Sequence, residues 1–587
     1  MTTRLRLLGP LAVATAAIVM LIWSWGTWPD PLVDFGAQLF IPWRITASQV
    51  LYRDMAYFSG PLSQYFNAAL FAIAGVGLRT IVWANIAIVA ATAAMLYRIL
   101  RRIGSPLTAT LGGVMFICLF AFARFDRIGN FNWICPYRQE MTHSMALSLA
   151  AMLCLHRYTK NFRLRWLAIS GLLTGLVFLT KAEVFFQLFV AMLAGIALIS
   201  RKHGVARHAI LFIAAAATPA IAAFLLLACA MPARTAILGT LGSLPWLFDH
   251  QITGLDFYRE GMGLLDPAAN AWKMCQWSLG YAALFGLAVA IGWSIRPSPW
   301  RNWAIGILSA IIVLAAAAWC VLSSGLQINW LSAAAPLTPI VLIAAAVAAC
   351  ARADLSIAAL RLVLCVFALA QLGRMPLRAR ITDYGFTAAL PAFLVTIDLL
   401  AGQLPAWLDR RGRTGAVVRG TAVGASAALL AIYLAIMAVH IGEQTVEVSA
   451  GHDRFLADAR GNEINAVLSR LQQFPPKQTL AVFPQGRMLN FLSRREDPIQ
   501  LGEFMPPEVL WLGETGALEA LRRNPPDIVI LTGKDIRDGS FFFPIGDYHY
   551  GRPTLNWIES HYRRLDGPPT DGELQFEFWQ RQNPVQP

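Results

Sequence analysis

The sequence predicts a polytopic α-helical membrane protein that ends in a small α/β unit. Of its 587 residues, 57% are hydrophobic and only 14% are charged. Apolar runs long enough to cross a bilayer as helices recur as far as about residue 441. Beyond that point charged residues become frequent, and strand-like runs such as 479–483, 527–531 and 574–579 alternate with helical ones such as 514–523.

The apolar runs predict about 13 transmembrane helices. They fall near residues 9–28, 79–97, 106–124, 141–157, 164–180, 182–200, 208–231, 271–294, 302–322, 329–350, 355–373, 387–405 and 419–441. A shorter apolar segment, 60–77, predicts a helix along the membrane interface. We therefore divide the chain into a transmembrane catalytic domain, 1–442, and an extracytoplasmic α/β domain, 443–587.

The positive charges indicate how the chain is oriented. A formal net charge of +14 would suggest nucleic-acid binding in a soluble protein, but here Lys and Arg lie in short loops between apolar runs. Clusters such as Arg101 with Arg102 and Arg410 with Arg411 predict cytoplasmic loops. The pattern predicts a cytoplasmic N-terminus, an outer C-terminal domain and no nucleic-acid partner.

A polar loop follows the first span and lies within the outer segment 28–78. It carries Asp30, Asp34 and Asp54, and Arg53 precedes the last of these. Ordering so polar a loop is costly, and loops held by a rigid scaffold often carry function. The carboxylates predict an acidic catalytic loop. A structural alternative stays open, since Asp34 could cap a helix and Asp54 could pair locally with Arg53.

Cations also remain on the predicted outer face, where the orientation rule does not require them. They are Arg44, Arg53, Arg124, Arg127, Arg138, Lys181, Arg234, Arg259, Arg374, Arg378 and Arg380. Together they suit an anionic ligand such as a lipid phosphate. In the C-terminal domain, FPQGRMLNFLSRR (483–495) predicts a strand end, a Gly turn and a helix start. Such a turn can bind a ligand or simply pack the domain.

Four segments carry a resemblance to a known family. They are DPLVDFG (30–36), VLYRDMAYFSGPLSQYFNA (50–68), NFNWICPYRQEMTHS (130–144) and GLLTGLVFLTKAE (171–183). With these segments the chain resembles the GT-C superfamily of multi-spanning glycosyltransferases that use polyprenyl-phosphate sugars. The bacterial branch it resembles contains protein mannosyltransferases, aminoarabinose transferases and lipopolysaccharide-core transferases of the RgtA/B/C/D type. The resemblance covers roughly the first 200 residues well.

The resemblance implies particular site residues. It implies Asp34 as the catalytic acid, with Asp54 and Glu140 as further acidic candidates. The donor-phosphate candidates are Arg53, Arg138 and Lys181, and the substrate-binding candidates are Tyr52, Tyr57 and Gln64. Tyrosines at these depths also serve as interfacial anchors. The chain departs from the family pattern at Phe35, where many members carry a second acid, and at Gly60, where others carry Lys.

The implied reaction is an inverting transfer at the outer face of a bacterial cytoplasmic (inner) membrane. A polyprenyl-phosphate sugar would be the donor, and an envelope glycan, lipid or protein would be the acceptor, with Asp34 as base and cations stabilising the departing phosphate. No cofactor is implied with certainty, although a divalent metal (Mg or Mn) could bridge Asp34 and the phosphate. The alternatives are a transporter or flippase of lipid-linked glycans and a lipid-linked glycan ligase or polymerase.

Overall fold

The computed structural model describes residues 3–582, apart from 202–203, 336–338, 352–353, 500, 502, 535–550, 568–571 and 573. Up to residue 442 the described chain is built from helices. In chain order these are α1 (Thr3–Trp23), α2 (Phe35–Thr46), α3 (Leu62–Ala74), α4 (Leu78–Ile103), α5 (Pro106–Phe116), α6 (Gln139–Asn161), α7 (Leu164–Phe178), α8 (Ala182–Ile199), α9 (Val205–Ala228), α10 (Ala233–Leu241), α11 (His250–Thr253), α12 (Asp256–Met262), α13 (Pro267–Ser294), α14 (Pro299–Ser324), α15 (Pro339–Cys350), α16 (Leu355–Leu372), α17 (Gly385–Ala388), α18 (Leu390–Ile397), α19 (Leu404–Arg410) and α20 (Ala416–Gly442).

Irregular helical stretches interrupt this series. Two π-helical stretches, Ile117–Ala121 and Asp398–Gln403, continue α5 and join α18 to α19. Single 3₁₀ turns occur at Pro245–Phe248 and Ile328–Ser332. Local sequence explains several helix starts. At α5, for example, the Ser105 side chain accepts the Thr108 backbone N–H in a reciprocal capping box, followed directly by Pro106.

The helices confirm a polytopic α-helical membrane fold. Within the described residues, eight helical segments are long and apolar enough to cross a membrane, and four shorter apolar helices accompany them. All 13 predicted spans overlap a described helix. Helix α6 is long but falls outside the eight, and both of its ends are polar, with Gln139 and Glu140 at the start and Arg157 and Lys160 near the end. The exact number of crossings therefore stays a prediction.

The acidic loop is more ordered than its sequence suggests. It contains α2, whose residues Phe35–Ile41 are almost all buried, and then α3. The apolar run FGAQLFI is too short to predict a span, and Pro42 follows it inside the helix. The sequence predicts a loop here because the Asp and Pro residues around this short buried helix are typical of loops. Helix α3 lies in the segment predicted to run along the interface.

Beyond residue 442 the chain forms small sheets and short helices. The strands are β1 (Val446–Val448), β2 (Phe455–Ala457), β3 (Leu480–Phe483), β4 (Ile528–Lys534), β5 (Tyr562–Leu565) and β6 (Leu574–Arg581). The helices are α21 (Arg460–Leu471), α22 (Arg487–Ser493), α23 (Pro506–Leu512), α24 (Glu514–Arg523) and α25 (Arg552–His561). Strands β1 and β2 form an antiparallel pair, and the larger sheet has the order β3-β4-β6-β5. Only its β3–β4 pairing is parallel.

The C-terminal unit, defined here as residues 443–582, packs directly on the acidic loop. Helix α22 lies against α2 so closely that a Cβ at Gly36 would sit 2.5 Å from the Met488 Cα. The Leu456 backbone N–H donates to the Gly26 carbonyl at 2.9 Å. One hydrophobic core joins the loop residues Leu32 and Phe35 to residues of the C-terminal unit. The loop is therefore enclosed on both sides.

We expect Gly36→Val to weaken this docking, because the added side chain must displace the Met488 backbone. Overpacking of this kind costs about 1–3 kcal/mol of folding free energy. Thermal unfolding and limited proteolysis of the purified protein would measure the loss. The matched control is Gly516→Ala on α24, where a Cβ meets nothing within 4 Å. Equal stability of the two variants would contradict close packing at Gly36.

Candidate active site

Asp34 stands at the junction of the loop and α2. Its backbone φ of 56° lies in the left-handed region, which is sparsely populated for residues other than Gly and is often found at functional sites. Its carboxylate accepts hydrogen bonds from Asn130 Nδ2 at 3.1 Å and Gln485 Nε2 at 3.3 Å. These donors belong to the α5–α6 connection and to the C-terminal unit. Asp34 therefore faces a meeting point of three segments.

Glu140 occupies the first turn of α6 and is fully buried. Its Oε1 atom accepts hydrogen bonds from the Tyr57 hydroxyl and from Gln64 Nε2, the latter at 3.0 Å. Gln64 Nε2 also lies 2.9 Å from Gln38 Oε1 and 2.7 Å from the Tyr57 hydroxyl oxygen. The structure thus brings together three residues that the resemblance singles out, namely Tyr57, Gln64 and Glu140.

Cations surround this acidic cluster. The Arg138 guanidinium lies over the Tyr57 ring, 5.8 Å from its centroid, and that of Arg374 lies 5.5 Å from the Tyr384 ring centroid. Lys181 Nζ is 3.4 Å from Glu183 Oε1. Burial lowers the pKa of Lys181; the nearby charge of Glu183 raises it, and those of Arg374 and Arg138 lower it further. The three cations are therefore close neighbours.

Tyr137 links these cations to Asp34. Burial raises its pKa; the charges of Arg374 and Arg138 act against this shift, and that of Asp34 adds to it. Tyr384 also has a raised pKa, for which burial is the first cause and Arg374 and Asp34 are among the charged neighbours. The charges of Asp34 and Arg374 therefore both act on Tyr137 and Tyr384. We call this region the polar chamber, formed by Asp34, Arg138, Glu140, Lys181, Glu183 and Arg374.

The end of α7 holds the chamber against the loop. Gly60 N–H donates to the Thr180 carbonyl at 3.1 Å, and Leu62 N–H donates to the Leu179 carbonyl at 3.0 Å. A Cβ at Gly60 would clash with the backbone of Leu179. This close approach accounts for Gly60 where relatives carry Lys, because a side chain would separate the two segments. Lys181 follows directly after them.

Asp54 and Arg53 form a separate pair. Arg53 Nε and Nη2 donate to the two oxygens of Asp54 at 2.8 and 2.7 Å, and the Val50 backbone N–H donates to Asp54 at 2.7 Å. The hydrogen bond from Arg53 is the first cause that lowers the pKa of Asp54. Arg53 Nη1 also reaches the Ala230 carbonyl at 3.4 Å. These contacts favour the local-pairing alternative over a catalytic role for Asp54.

Tyr52 contributes to the shape of the loop. Its hydroxyl donates to the Ser59 carbonyl at 2.6 Å, and its ring lies where a Cβ on Gly239 would fall. Asp30 is likewise held within the structure. Its Oδ1 accepts the backbone N–H groups of Leu32 and Val33 at 3.0 and 2.8 Å. Both side chains therefore order the backbone around the chamber.

The sequence did not predict that residues of the C-terminal unit lie beside the chamber. Gln485 contacts Asp34, and both Glu503 and Glu508 raise the pKa of Arg138. The turn 483–495 was one signal, because it predicted either a ligand site or a packing surface. The packing reading agrees with the contact between α22 and α2, whereas ligand binding at this turn stays a prediction. Glu503 and Glu508 carried no such signal.

The donor set of the site does not match a metal centre. Among the residues that the structure describes, no group of three or more His, Cys, Asp or Glu side chains could hold a metal ion. The carboxylates of the polar chamber are engaged with Asn130, Gln485, Tyr57, Gln64 and Lys181.

Known structures and families offer a comparison with this geometry. No curated protein sequence matches the chain. Solved structures that match include the apo oligosaccharyltransferase of Archaeoglobus fulgidus, at 10% identity and a TM-score of 0.48 over 97% of this chain and 80% of that one. ArnT from Cupriavidus metallidurans matches at 14% identity and a TM-score of 0.47 in its apo state, over 97% of both chains. ArnT bound to undecaprenyl phosphate matches at 13% identity, a TM-score of 0.45 and the same coverage.

A family model gives the sequence-level match. Residues 59–227 match the family described as dolichyl-phosphate-mannose-protein mannosyltransferase. The matched segment includes Glu140 and Lys181 and the helices that carry them. This match confirms the resemblance inferred from the motifs, and the chain is a multi-pass membrane protein that is similar, over residues 59–227, to dolichyl-phosphate-mannose-protein mannosyltransferases.

Proposed function

We propose that this protein transfers a sugar from a polyprenyl-phosphate donor to an acceptor hydroxyl at the outer face of a bacterial cytoplasmic membrane. The observation that carries the proposal is the polar chamber, a region in which the Asp34 carboxylate occurs with the cations Arg138, Lys181 and Arg374. The family description names a mannose linked to dolichyl phosphate, which is a polyprenyl phosphate. A lipid donor also suits a site built at the ends of membrane helices.

Asp34 is the proposed general base. Its side chain takes the proton from the acceptor hydroxyl as the oxygen attacks the anomeric carbon of the donor sugar. The bond between that carbon and the phosphate oxygen breaks, and the phosphate leaves with both bonding electrons. Attack from the face opposite the leaving group inverts the anomeric configuration. The cations stabilise the charge that develops on the phosphate.

The hydrogen bonds at the site support these roles. Asn130 and Gln485 hold the Asp34 carboxylate in one orientation, which reduces the reorganisation needed at the moment of transfer. Glu140 anchors Tyr57 and Gln64, and Tyr57 lies beneath Arg138. Glu140 is therefore proposed to position a phosphate-binding cation and not to act as the base.

A transporter or flippase of lipid-linked glycans is the second candidate. Cations at the end of membrane helices could bind the phosphate of a lipid-linked glycan during transport. Transport does not require a catalytic base such as the Asp34 carboxylate. If the protein is a transferase, the acceptor is an envelope glycan, a lipid or a protein. Both readings predict a lipid-linked glycan as partner, so only a test of covalent transfer separates them.

We expect Asp34→Asn to abolish most transfer, because it removes the base and keeps the size of the side chain. A general base contributes about 10²–10⁴-fold in rate. The measurement is mass spectrometry of envelope glycans, lipids and proteins from cells that lack the gene and carry either the native protein or the variant at matched levels. A sugar mass that the native protein restores should stay nearly absent with Asp34→Asn.

The matched control is Asp54→Asn, an identical change in the same loop at a residue that pairs with Arg53. We expect it to restore the sugar to within a few-fold of the native level. Full restoration by Asp34→Asn would contradict its role as base. If the native protein changes no glycan mass while lipid-linked glycans accumulate on one side of the membrane without it, the transporter is the better reading.

We expect Lys181→Met and Arg138→Gln to lower transfer mainly through weaker donor binding, because each removes a charge that faces the leaving phosphate. With the donor identified as above, initial rates of the purified enzyme should show a KM for the donor raised at least tenfold. Arg259→Gln is the control, since Arg259 is exposed and paired with Asp256. If the donor KM is unchanged in both variants, Lys181 and Arg138 do not bind the donor phosphate.

We expect transfer to continue after metal removal, because the proposed base and phosphate partners are all side chains. Purified enzyme treated with EDTA should keep its initial rate. A loss of activity that Mg²⁺ or Mn²⁺ restores would show that a divalent ion bridges Asp34 and the donor phosphate.

A further inference from the structure

The C-terminal unit places a buried carboxyl group beside the polar chamber. Glu508 lies in the first turn of α23 and is 7% exposed. In the part of the chain that the structure describes, its Oε2 atom is buried without a hydrogen-bond partner. A buried polar atom left unpaired is costly, and native proteins keep few of them. Such an atom next to a substrate chamber indicates a partner that binds there.

Backbone contacts fix the position of this segment. Phe504 N–H donates to the Pro484 carbonyl at 2.8 Å, directly before Gln485, whose side chain bonds Asp34. At the other end of α23, the Trp511 ring packs against Phe58 of the acidic loop, with centroids 4.7 Å apart. It also packs against Trp246, at 5.4 Å. Glu508 thus lies between two contacts, one next to Gln485 and one with the acidic loop.

Charged groups from three segments act on Glu508. They are Glu503 from its own segment, Arg138 from the connection before α6 and Asp34 directly before α2. Glu508 in turn acts on Tyr258 of α12. The pKa of Glu508 is raised to about 8, chiefly by burial; the charges of Glu503 and Asp34 contribute to the rise, and that of Arg138 acts against it. Below that pH the carboxyl group carries its proton and can donate a hydrogen bond. Above it, the group adds a negative charge to the chamber.

We propose that Glu508 is a donor-binding residue that the C-terminal unit supplies to the polar chamber. Its carboxyl group donates a hydrogen bond to the phosphate of the polyprenyl-phosphate donor, beside Arg138. This inference rests on the proposed function and adds a residue from a different part of the chain. A neutral carboxyl group offers the phosphate a hydrogen bond without repelling it, whereas a carboxylate at the same place would do the opposite.

The test is equilibrium binding of decaprenyl phosphate to the purified full-length protein, followed by tryptophan fluorescence at pH 7 and pH 9. The phosphate monoester has lost its second proton near pH 6, so its own charge is nearly constant in this window. A group with a pKa of about 8 is mostly protonated at pH 7 and mostly ionised at pH 9. We expect the affinity of the native protein to fall about tenfold between these two values.

Three variants complete the experiment. Glu508→Gln stays neutral and keeps a hydrogen-bond donor, so it should bind equally at both pH values. Glu508→Ala should bind about tenfold more weakly than the native protein at pH 7. Glu519→Gln, on the exposed surface of α24, is the control and should follow the native curve. The pH dependence is a readout that a merely structural role of Glu508 would not produce.

The outcomes separate this inference from the proposed function. If the native protein binds at pH 7 but Glu508→Gln shows the native pH dependence, Glu508 does not contact the phosphate and the inference is wrong. A native affinity that is equal at pH 7 and pH 9 has the same meaning, even where the variants prove unstable. If the native protein fails to bind decaprenyl phosphate at pH 7, the proposed donor class is contradicted, and this inference with it.

Discussion

The buried ion pair between Asp30 and Arg460 is the interaction on which the arrangement of the site depends. Arg460 Nη2 lies 3.2 Å from Asp30 Oδ2, and both side chains are almost completely buried. Asp30 Oδ1 meanwhile orders the backbone at Leu32 and Val33, directly before Asp34. Removing one partner of a buried pair leaves an uncompensated charge, at a cost of about 3–5 kcal/mol. The backbone that leads into Asp34 is therefore held from the C-terminal unit.

The same region shows how buried charges are compensated. Arg460 also pairs with Asp458 at 2.9 Å, and Arg124 donates to the Thr27 carbonyl. Burial nonetheless lowers the pKa of Arg124 to about 10, with Asp30 acting to raise it. In the polar chamber, by contrast, the guanidinium groups of Arg138 and Arg374 lie over the rings of Tyr57 and Tyr384. Arg460 is thus compensated by ion pairs, whereas these two cations contact aromatic rings.

Much of the fold could be predicted because each membrane helix can be recognised from the hydropathy of its own segment. Each span needs only its own run of apolar residues, so the predicted helices overlap described ones along the whole membrane part. The sequence also allowed Asp34, Glu140, Arg138 and Lys181 to be chosen as candidate site residues, because each lies in a motif that the resemblance covers. Asp54 illustrates the limit: its type and position suited catalysis equally well, and only the contact with Arg53 distinguishes it. The partners Gln485 and Glu508 could not be predicted, since no periodicity encodes a contact across 451 residues of chain.

The contact between Gln485 and Asp34 has a consequence for biosynthesis. Asp34, Glu140 and Lys181 are synthesised before the segment that contains Gln485. A chain made only as far as α20 therefore has Asp34 and the membrane helices but lacks Gln485, whose side chain donates to the Asp34 carboxylate. The C-terminal unit adds this hydrogen bond to Asp34 only once it has folded onto the acidic loop.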